Sequence, residues 1–215
     1  MKTSNLFTLM RVICAPVFFL IFFIPQWLDA EPTSLLSRIS LGILIPLLIF
    51  AELTDYWDGR YARKNGEVSD FGKIFDPFAD VFLHLSVFTC FVFTDCSATD
   101  LPYMPVVLYV LIFYREFAQN FLRMVAAKQG TAIAARKGGK IKTVFYVTSC
   151  FVILAQELFI RSGLYDFVKS TFPGFSMQVV NYIGYGFFAV CVILSYVSFI
   201  DYVKKFGSVL KEAVK

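Results

Sequence analysis

Six long apolar runs constrain this chain more than any other feature of its sequence. Each run approaches the roughly 20 residues that an α-helix needs to cross the hydrocarbon core of a bilayer. The runs cover residues 12–27, 41–57, 78–94, 105–126, 143–159 and 179–200. Of the 215 residues, 58% are hydrophobic and 17% are charged, too few charges for a soluble domain of this length. We therefore predict an all-α integral membrane protein, a six-transmembrane-helix bundle that forms a single domain over residues 1–215.

The basic residues fall unevenly on the two sides that these runs define. Fifteen of the 20 Lys and Arg residues lie on the side that carries both termini, and three lie on the other: Arg38, Arg161 and Lys169. Because Lys and Arg are enriched in cytoplasmic segments, we predict that both termini are cytoplasmic and that the protein resides in the cytoplasmic (inner) membrane. The net charge of +4 then reflects topology and gives no sign of a nucleic-acid partner.

Four aspartates bracket the short polar segment between the second and third runs. Asp55 and Asp58 end the second run, and Asp76 and Asp80 open the third. On a helix the members of these pairs are offset by about 60° and about 40°, so each pair projects from one face. Carboxylates gathered at a membrane boundary need a cation, and oxygen ligands select Mg²⁺ first and Mn²⁺ second. The four aspartates suffice for a site of two divalent ions that also holds a diphosphate.

The same segment carries a longer pattern. It reads D-x2-D-G-x2-A-R-x8-G-x3-D-x3-D over residues 55–80, and it resembles the signature of the CDP-alcohol phosphotransferase family with every fixed position filled. The resemblance implies a homodimer in which Asp55, Asp58 and Asp76 bind metal and Asp80 is the general base and a further ligand. It also implies contacts with a CDP-lipid from Thr8, Asp58, Gly59, Ala62, Arg63 and Gly72.

A second resemblance concerns the alcohol acceptor. The opening Asn5-x2-Thr8-x2-Arg11 is similar to the branch of the family that accepts glycerol 3-phosphate, although Val81 stands where that branch usually has a lysine. The expected reaction transfers the phosphatidyl group of CDP-diacylglycerol to glycerol 3-phosphate, giving phosphatidylglycerophosphate and CMP.

An acceptor that carries a phosphate needs cations in addition to the aspartates. Arg115 and Arg123 lie about 80° apart around the fourth helix, so both can face the bundle interior. Lys140 and Lys142 lie near the end of the next helix. We predict that these four residues bind the acceptor phosphate, with a pairing of Arg115 to Glu116 as the structural alternative.

Other roles and functions remain open at this point. The five cysteines show no C-x-x-C pair and are predicted to be core residues, and His84 is predicted to be a packed or hydrogen-bonded core residue. Within the family, the acceptor could instead be inositol 1-phosphate, phosphatidylglycerol or serine. From another class, a cation transporter also places carboxylates in a small helical bundle, but it leaves Gly59, Arg63 and Gly72 unexplained.

Overall fold

The computed structural model describes the backbone of residues 3–65, 70–130 and 137–213 and the side chains of residues 6–55, 57, 71–72, 74–130 and 138–207. Within these ranges the chain forms seven α-helices and one short hairpin. The helices are α1 (Thr3–Trp27), α2 (Leu35–Asn65), α3 (Asp70–Val92), α4 (Val106–Lys128), α5 (Lys137–Arg161), α6 (Leu164–Thr171) and α7 (Met177–Ala213). Strands β1 (Asp95–Cys96) and β2 (Leu101–Pro102) pair antiparallel between α3 and α4. The all-α prediction is confirmed.

Five of the described helices are long and apolar enough to cross a membrane. These spans are Leu6–Trp27, Leu35–Asp55, Ile74–Val92, Gly138–Arg161 and Met177–Gly207. Each begins before the predicted run because the helices also include polar residues, such as Arg38, that hydropathy excludes. The predicted sixth span corresponds to α4, which has 23 residues but carries Arg115, Glu116 and Arg123. Length and composition therefore identify five spans, and the predicted number of six is not confirmed.

The short helix α6 is absent from the sequence prediction. It has eight residues, buries none of them and follows Gly163, whose φ of 81° lies in the left-handed region that favours glycine. Eight residues give only about two turns, too few for a periodic pattern to stand out beside the longer runs.

The core lies where α1, α2 and α3 meet α5 and α7. Phe88 of α3 packs edge-on against Phe188 of α7 at a centroid distance of 5.2 Å, and Phe22 packs against Phe91 at 6.0 Å. All five cysteines are buried free thiols, as expected for core residues. The outward faces are apolar too, since Ile43 and Ile193 are 48% and 61% exposed. Helices that are apolar on both faces are typical of a bundle in lipid.

The helices alternate in direction, so the bundle has two distinct ends. We call the end where α1 begins, α2 ends and α3 begins the aspartate end; α4 and α7 end there and α5 begins there. At the opposite end, Arg161 of α5 pairs with Glu157 and donates to the Ser37 carbonyl of α2 at 3.1 Å. Nearby, burial and the neighbouring Glu157 raise the pKa of Tyr103 far above its usual range, so this phenol stays neutral. At this end, buried polar contacts therefore hold α5 against α2.

Candidate active site

Three of the predicted aspartates come together at the aspartate end through two residues of α1. Thr8 Oγ1 donates to Asp76 Oδ1 at 2.7 Å. Arg11 donates through Nη1 to Asp80, and its Nη2 lies 3.0 Å from Asp55 Oδ1. Asp55 of α2 and Asp80 of α3 therefore share one guanidinium, which offsets the repulsion between two carboxylates that lie on different helices.

Arg11 is a site residue that the sequence analysis did not assign. It is only 1% exposed although it lies in an apolar span, and a buried arginine in a membrane helix needs charged partners. The available signal was its position three residues after Thr8, which places both side chains on the same face of α1. The opening motif Asn5-x2-Thr8-x2-Arg11 includes it, but that motif predicts no partner for the side chain.

The remaining positions of the motif are described only in part. Gly72 lies in the first turn of α3 and is half-buried. The backbones of Asp58, Gly59, Ala62 and Arg63 belong to α2, but their side chains lie outside the described residues. Their predicted contacts with metal and CDP-lipid therefore remain predictions.

A pair formed by a carboxylate and an imidazole lies one turn deeper in the bundle. Glu52 precedes Asp55 on α2, and its Oε1 lies 3.2 Å from His84 Nε2. The other ring nitrogen, Nδ1, donates to the Asp80 carbonyl at 2.7 Å, since a carbonyl oxygen can only accept. His84 is 3% exposed, so the prediction of a hydrogen-bonded core residue is confirmed. Through this contact His84 links α2 to the backbone of Asp80.

A buried basic cluster lies across the bundle from the aspartates. Glu116 Oε1 accepts from Arg115 Nη1 at 2.7 Å, from Lys142 Nζ at 2.8 Å and from the Tyr146 hydroxyl at 2.8 Å. Arg115 Nε also donates to the Ser195 carbonyl of α7 at 2.7 Å. Two cations thus share one carboxylate, which leaves a net positive charge in the bundle interior. The pairing of Arg115 with Glu116 does occur, and it holds Arg115 next to Lys142.

The other two predicted acceptor residues are placed differently. Arg123 Nη2 donates to the Tyr202 hydroxyl of α7 at 3.3 Å, and its guanidinium lies 5.5 Å from the centre of that ring. Lys140 is exposed. Of the four predicted acceptor-phosphate residues, Arg115 and Lys142 therefore lie together, Arg123 lies two turns from Arg115 along α4, and Lys140 is exposed.

The aspartates and the basic cluster belong to one continuous set of contacts. The His84 ring packs edge-on against the Tyr146 ring at a centroid distance of 5.8 Å, and Tyr146 donates to Glu116. His84 contacts Asp80, so a single chain of side chains joins α3, α5 and α4. The charge of the basic cluster is complementary to a phosphate group, whereas the carboxylates would need bound cations to hold one.

The chemistry of the aspartates fits hard divalent cations. Their donors are all carboxylate oxygens, and Mg²⁺ is usually held by one or two carboxylates together with substrate phosphates. In the described part of the chain no three Asp, Glu, His or Cys side chains form a complete ion cage, and Asp58 lies outside that part. The residues thus suit ions that bind together with a diphosphate substrate.

Comparison with known proteins shows which family the chain belongs to. A family model described as CDP-alcohol phosphatidyltransferase matches residues 1–199. The CDP-diacylglycerol–glycerol-3-phosphate 3-phosphatidyltransferase of Treponema pallidum is 34% identical over 213 residues, which is 98% of this chain and 92% of that protein. Proteins of the same name from Bacillus subtilis and Rickettsia typhi are 34% and 28% identical over 72% and 87% of this chain, and the matches cover 77% and 95% of those proteins. The chain is therefore a membrane enzyme that belongs to the CDP-alcohol phosphatidyltransferase family.

Proposed function

We propose that this enzyme transfers the phosphatidyl group of CDP-diacylglycerol to glycerol 3-phosphate. The observation that carries the proposal is the buried pair of Arg115 and Lys142 on Glu116, which Tyr146 and His84 connect to Asp80. An acceptor without a phosphate would leave this positive charge uncompensated in a medium of low dielectric constant. The names of the relatives agree with this choice of acceptor.

The proposed reaction is a single phosphoryl-group substitution. The primary hydroxyl oxygen of glycerol 3-phosphate forms a bond to the lipid-side phosphorus of CDP-diacylglycerol, while the bond from that phosphorus to the oxygen of CMP breaks. Asp80 accepts the hydroxyl proton, and CMP leaves with the bonding electron pair. The products are phosphatidylglycerophosphate and CMP.

An aspartate is a weak base in solution, so the contribution of Asp80 to the rate must come largely from its position relative to the hydroxyl group. A carboxylate with a pKa of about 4 accepts a proton efficiently only where the hydroxyl is held against it. Arg11 fixes the carboxylate from one side, and His84 fixes the backbone carbonyl of the same residue. These contacts orient Asp80 toward the substrate.

The remaining aspartates hold the diphosphate of the donor indirectly. Asp55, Asp58 and Asp76, with Asp80 beside them, would hold two divalent cations, Mg²⁺ or Mn²⁺, whose charge neutralises the diphosphate and stabilises the leaving phosphate. Thr8 keeps Asp76 in place by its hydrogen bond. We assign contacts with the CDP-lipid to Thr8, Asp58, Gly59, Ala62, Arg63 and Gly72, and contacts with the acceptor phosphate to Arg115, Arg123, Lys140 and Lys142.

We also propose how the enzyme lies in the membrane. Helix α4 would be the sixth span, because its charged residues Arg115 and Glu116 are buried against α5 and α7 instead of facing lipid. Six spans and the excess of basic residues put both termini and the aspartate end on the cytoplasmic side of the inner membrane. The enzyme would act as a homodimer and as a single domain over residues 1–215.

An acceptor panel tests the proposal. Purified enzyme in mixed micelles is supplied with CDP-diacylglycerol and Mg²⁺ and with one acceptor at a time: glycerol 3-phosphate, inositol 1-phosphate, phosphatidylglycerol or serine. CMP release and the lipid product are measured for each. We expect turnover with glycerol 3-phosphate above all others. Preferred use of another acceptor would overturn the assignment of the acceptor, and no CMP release with any of them would overturn the proposed reaction.

A further inference from the structure

Gln119 of α4 is a buried amide with nothing to bind in the described part of the chain. It is 2% exposed, and neither its Oε1 nor its Nε2 has a hydrogen-bond partner there. A primary amide offers two donors and an acceptor, and leaving them unsatisfied in a protein interior is costly. Such a group in a native structure needs an explanation, and a role in catalysis or substrate binding is one.

The position of Gln119 relates it to the proposed acceptor site. It lies four residues after Arg115 and four before Arg123, so the three side chains follow one face of α4. The facing helix is α7, which receives hydrogen bonds from both arginines through the Ser195 carbonyl and the Tyr202 hydroxyl. Ser198, between these two residues on α7, is also buried, and its Oγ likewise has no partner among the described residues.

Gln119 also lies at the depth of Asp80. The contacts from His84 to Tyr146 and from Tyr146 to Glu116 define one level of the bundle. From that level, Asp80 is four residues nearer the aspartate end on α3, about 6 Å along the axis. Gln119 is three residues nearer the same end on α4, about 4.5 Å along the axis. The proposed general base and the amide of Gln119 therefore lie at nearly the same height along the bundle.

We propose that Gln119 recognises the central hydroxyl of the acceptor and thereby helps to determine its specificity. This inference rests on the proposed function. Glycerol 3-phosphate carries its phosphate at one end and the attacking hydroxyl at the other, so its central hydroxyl lies between the cationic cluster and Asp80. A hydroxyl both donates and accepts a hydrogen bond, and the amide of Gln119 can match either role.

Discrimination against an acceptor that lacks this hydroxyl tests the role of Gln119. The probe is 3-hydroxypropyl phosphate, which keeps the phosphate and the primary hydroxyl. We expect wild-type kcat/KM for glycerol 3-phosphate to exceed that for the probe by at least about tenfold, because the probe leaves the buried amide unpaired. Gln119→Met has a similar volume and no amide, and it should lower this ratio by about tenfold.

A thermal unfolding measurement separates recognition from a structural role. Because Gln119→Met removes polar atoms that have no partner among the described residues, its Tm should equal or exceed that of the wild type. The matched control is Gln156→Met, a change at another buried glutamine nearer the opposite end of the bundle, which should leave the discrimination ratio unchanged.

The possible results separate this inference from the proposed function. An unchanged ratio in Gln119→Met, with glycerol 3-phosphate still used, would overturn the role of Gln119 alone. A lowered Tm with an unchanged ratio would identify Gln119 as a structural residue. Failure of the wild type to use glycerol 3-phosphate would overturn the proposed function, and the inference with it.

Discussion

At the scale of single residues, the carboxylates are organised by their partners on α1. Arg11 spans Asp55 and Asp80, and Thr8 holds Asp76. The spacing of the aspartates predicts that each pair lies on one face of its helix, and Asp55, Asp76 and Asp80 do lie at the same end of the bundle. The role of Arg11 could not be read in the same way, since a basic residue near the start of a span also serves topology, and only the packing of α1 against α2 and α3 distinguishes the two.

The first prediction concerns the proton acceptor. Asp80→Asn keeps the shape of the side chain and its contact with Arg11 but removes the base, so kcat should fall by about 100- to 10,000-fold. Binding of CDP-diacylglycerol, measured by equilibrium dialysis with Mg²⁺, should change little. Asp95→Asn, an exposed change in the hairpin, is the control. Turnover equal to that of the control would refute the assignment of Asp80.

The second prediction concerns Thr8. Thr8→Val keeps the volume but removes the hydrogen bond to Asp76, and a bond to a charged group contributes about 1.5–3 kcal/mol. We expect kcat/KM for CDP-diacylglycerol to fall about tenfold or more, on the basis of that range. Thr8→Ser retains the hydroxyl and should stay within about threefold of the wild type. Equal losses in the two variants would mean that packing, and not the hydrogen bond, accounts for the effect.

At the scale of elements, the contacts of α4 could not be predicted from the sequence alone. Its length predicted a span and its arginines predicted an acceptor site, but composition could not say which polar groups face each other. Glu116 determines this, because Arg115, Lys142 and Tyr146 all donate to it. These three donors belong to two helices, so whether they reach the same carboxylate depends on how the helices pack. A local sequence pattern does not contain that information. The sequence likewise gave no reason to distinguish Lys140 from Lys142.

The third prediction distinguishes these two lysines of α5. Lys142 is buried on Glu116, whereas Lys140 is exposed. Lys142→Met should raise KM for glycerol 3-phosphate about tenfold or more, because a desolvated charge-assisted contact is strong. Lys140→Met should raise it only about threefold, by an amount that added salt reduces. Initial rates at low and high ionic strength provide the comparison, and equal effects of the two changes would contradict the assignment.

The fourth prediction concerns the buried contacts of Arg161 at the opposite end of the bundle. Arg161→Met leaves Glu157 without its buried partner and removes the bond to Ser37, so the free energy of unfolding should fall by about 3 kcal/mol. Arg38→Met removes an exposed side chain that donates to the Arg161 carbonyl and should cost less than about 1 kcal/mol. Unfolding in detergent gives both values. A change in KM for either substrate at a permissive temperature would show that this end is not purely structural.

At the scale of the whole molecule, hydropathy correctly predicted an all-helical bundle, but it did not predict the helix boundaries or the short helix α6. The all-helical bundle follows from the runs themselves, because backbone groups in lipid must be paired within each segment. Five of the predicted runs correspond to spans. The sixth run corresponds to α4, which carries Arg115, Glu116 and Arg123 and is not identified as a span, and α6 is too short for a periodic pattern to reveal. The family motif added what physics alone left open, namely the donor nucleotide and the kind of reaction.

The fifth prediction concerns orientation. Single cysteines introduced at Glu31 and Ser170 should react with a membrane-impermeant maleimide in intact cells, whereas one at Gln129 should react only after permeabilisation. All three positions are exposed, and the five native thiols are buried, which keeps the background low. Labelling of Gln129→Cys from outside would invert the proposed topology.

The dependence of phosphatidyl transfer on divalent cations tests most directly whether the aspartates act together as one site. Enzyme stripped with EDTA would be given CDP-diacylglycerol and glycerol 3-phosphate, and phosphatidylglycerophosphate and CMP would be measured as Mg²⁺ or Mn²⁺ is added back. We expect no product without a divalent ion, saturable recovery with either metal, and a recovered rate in Asp80→Asn that is lower by at least about 100-fold. Full transfer in the absence of divalent ions would contradict an aspartate site that works through bound cations.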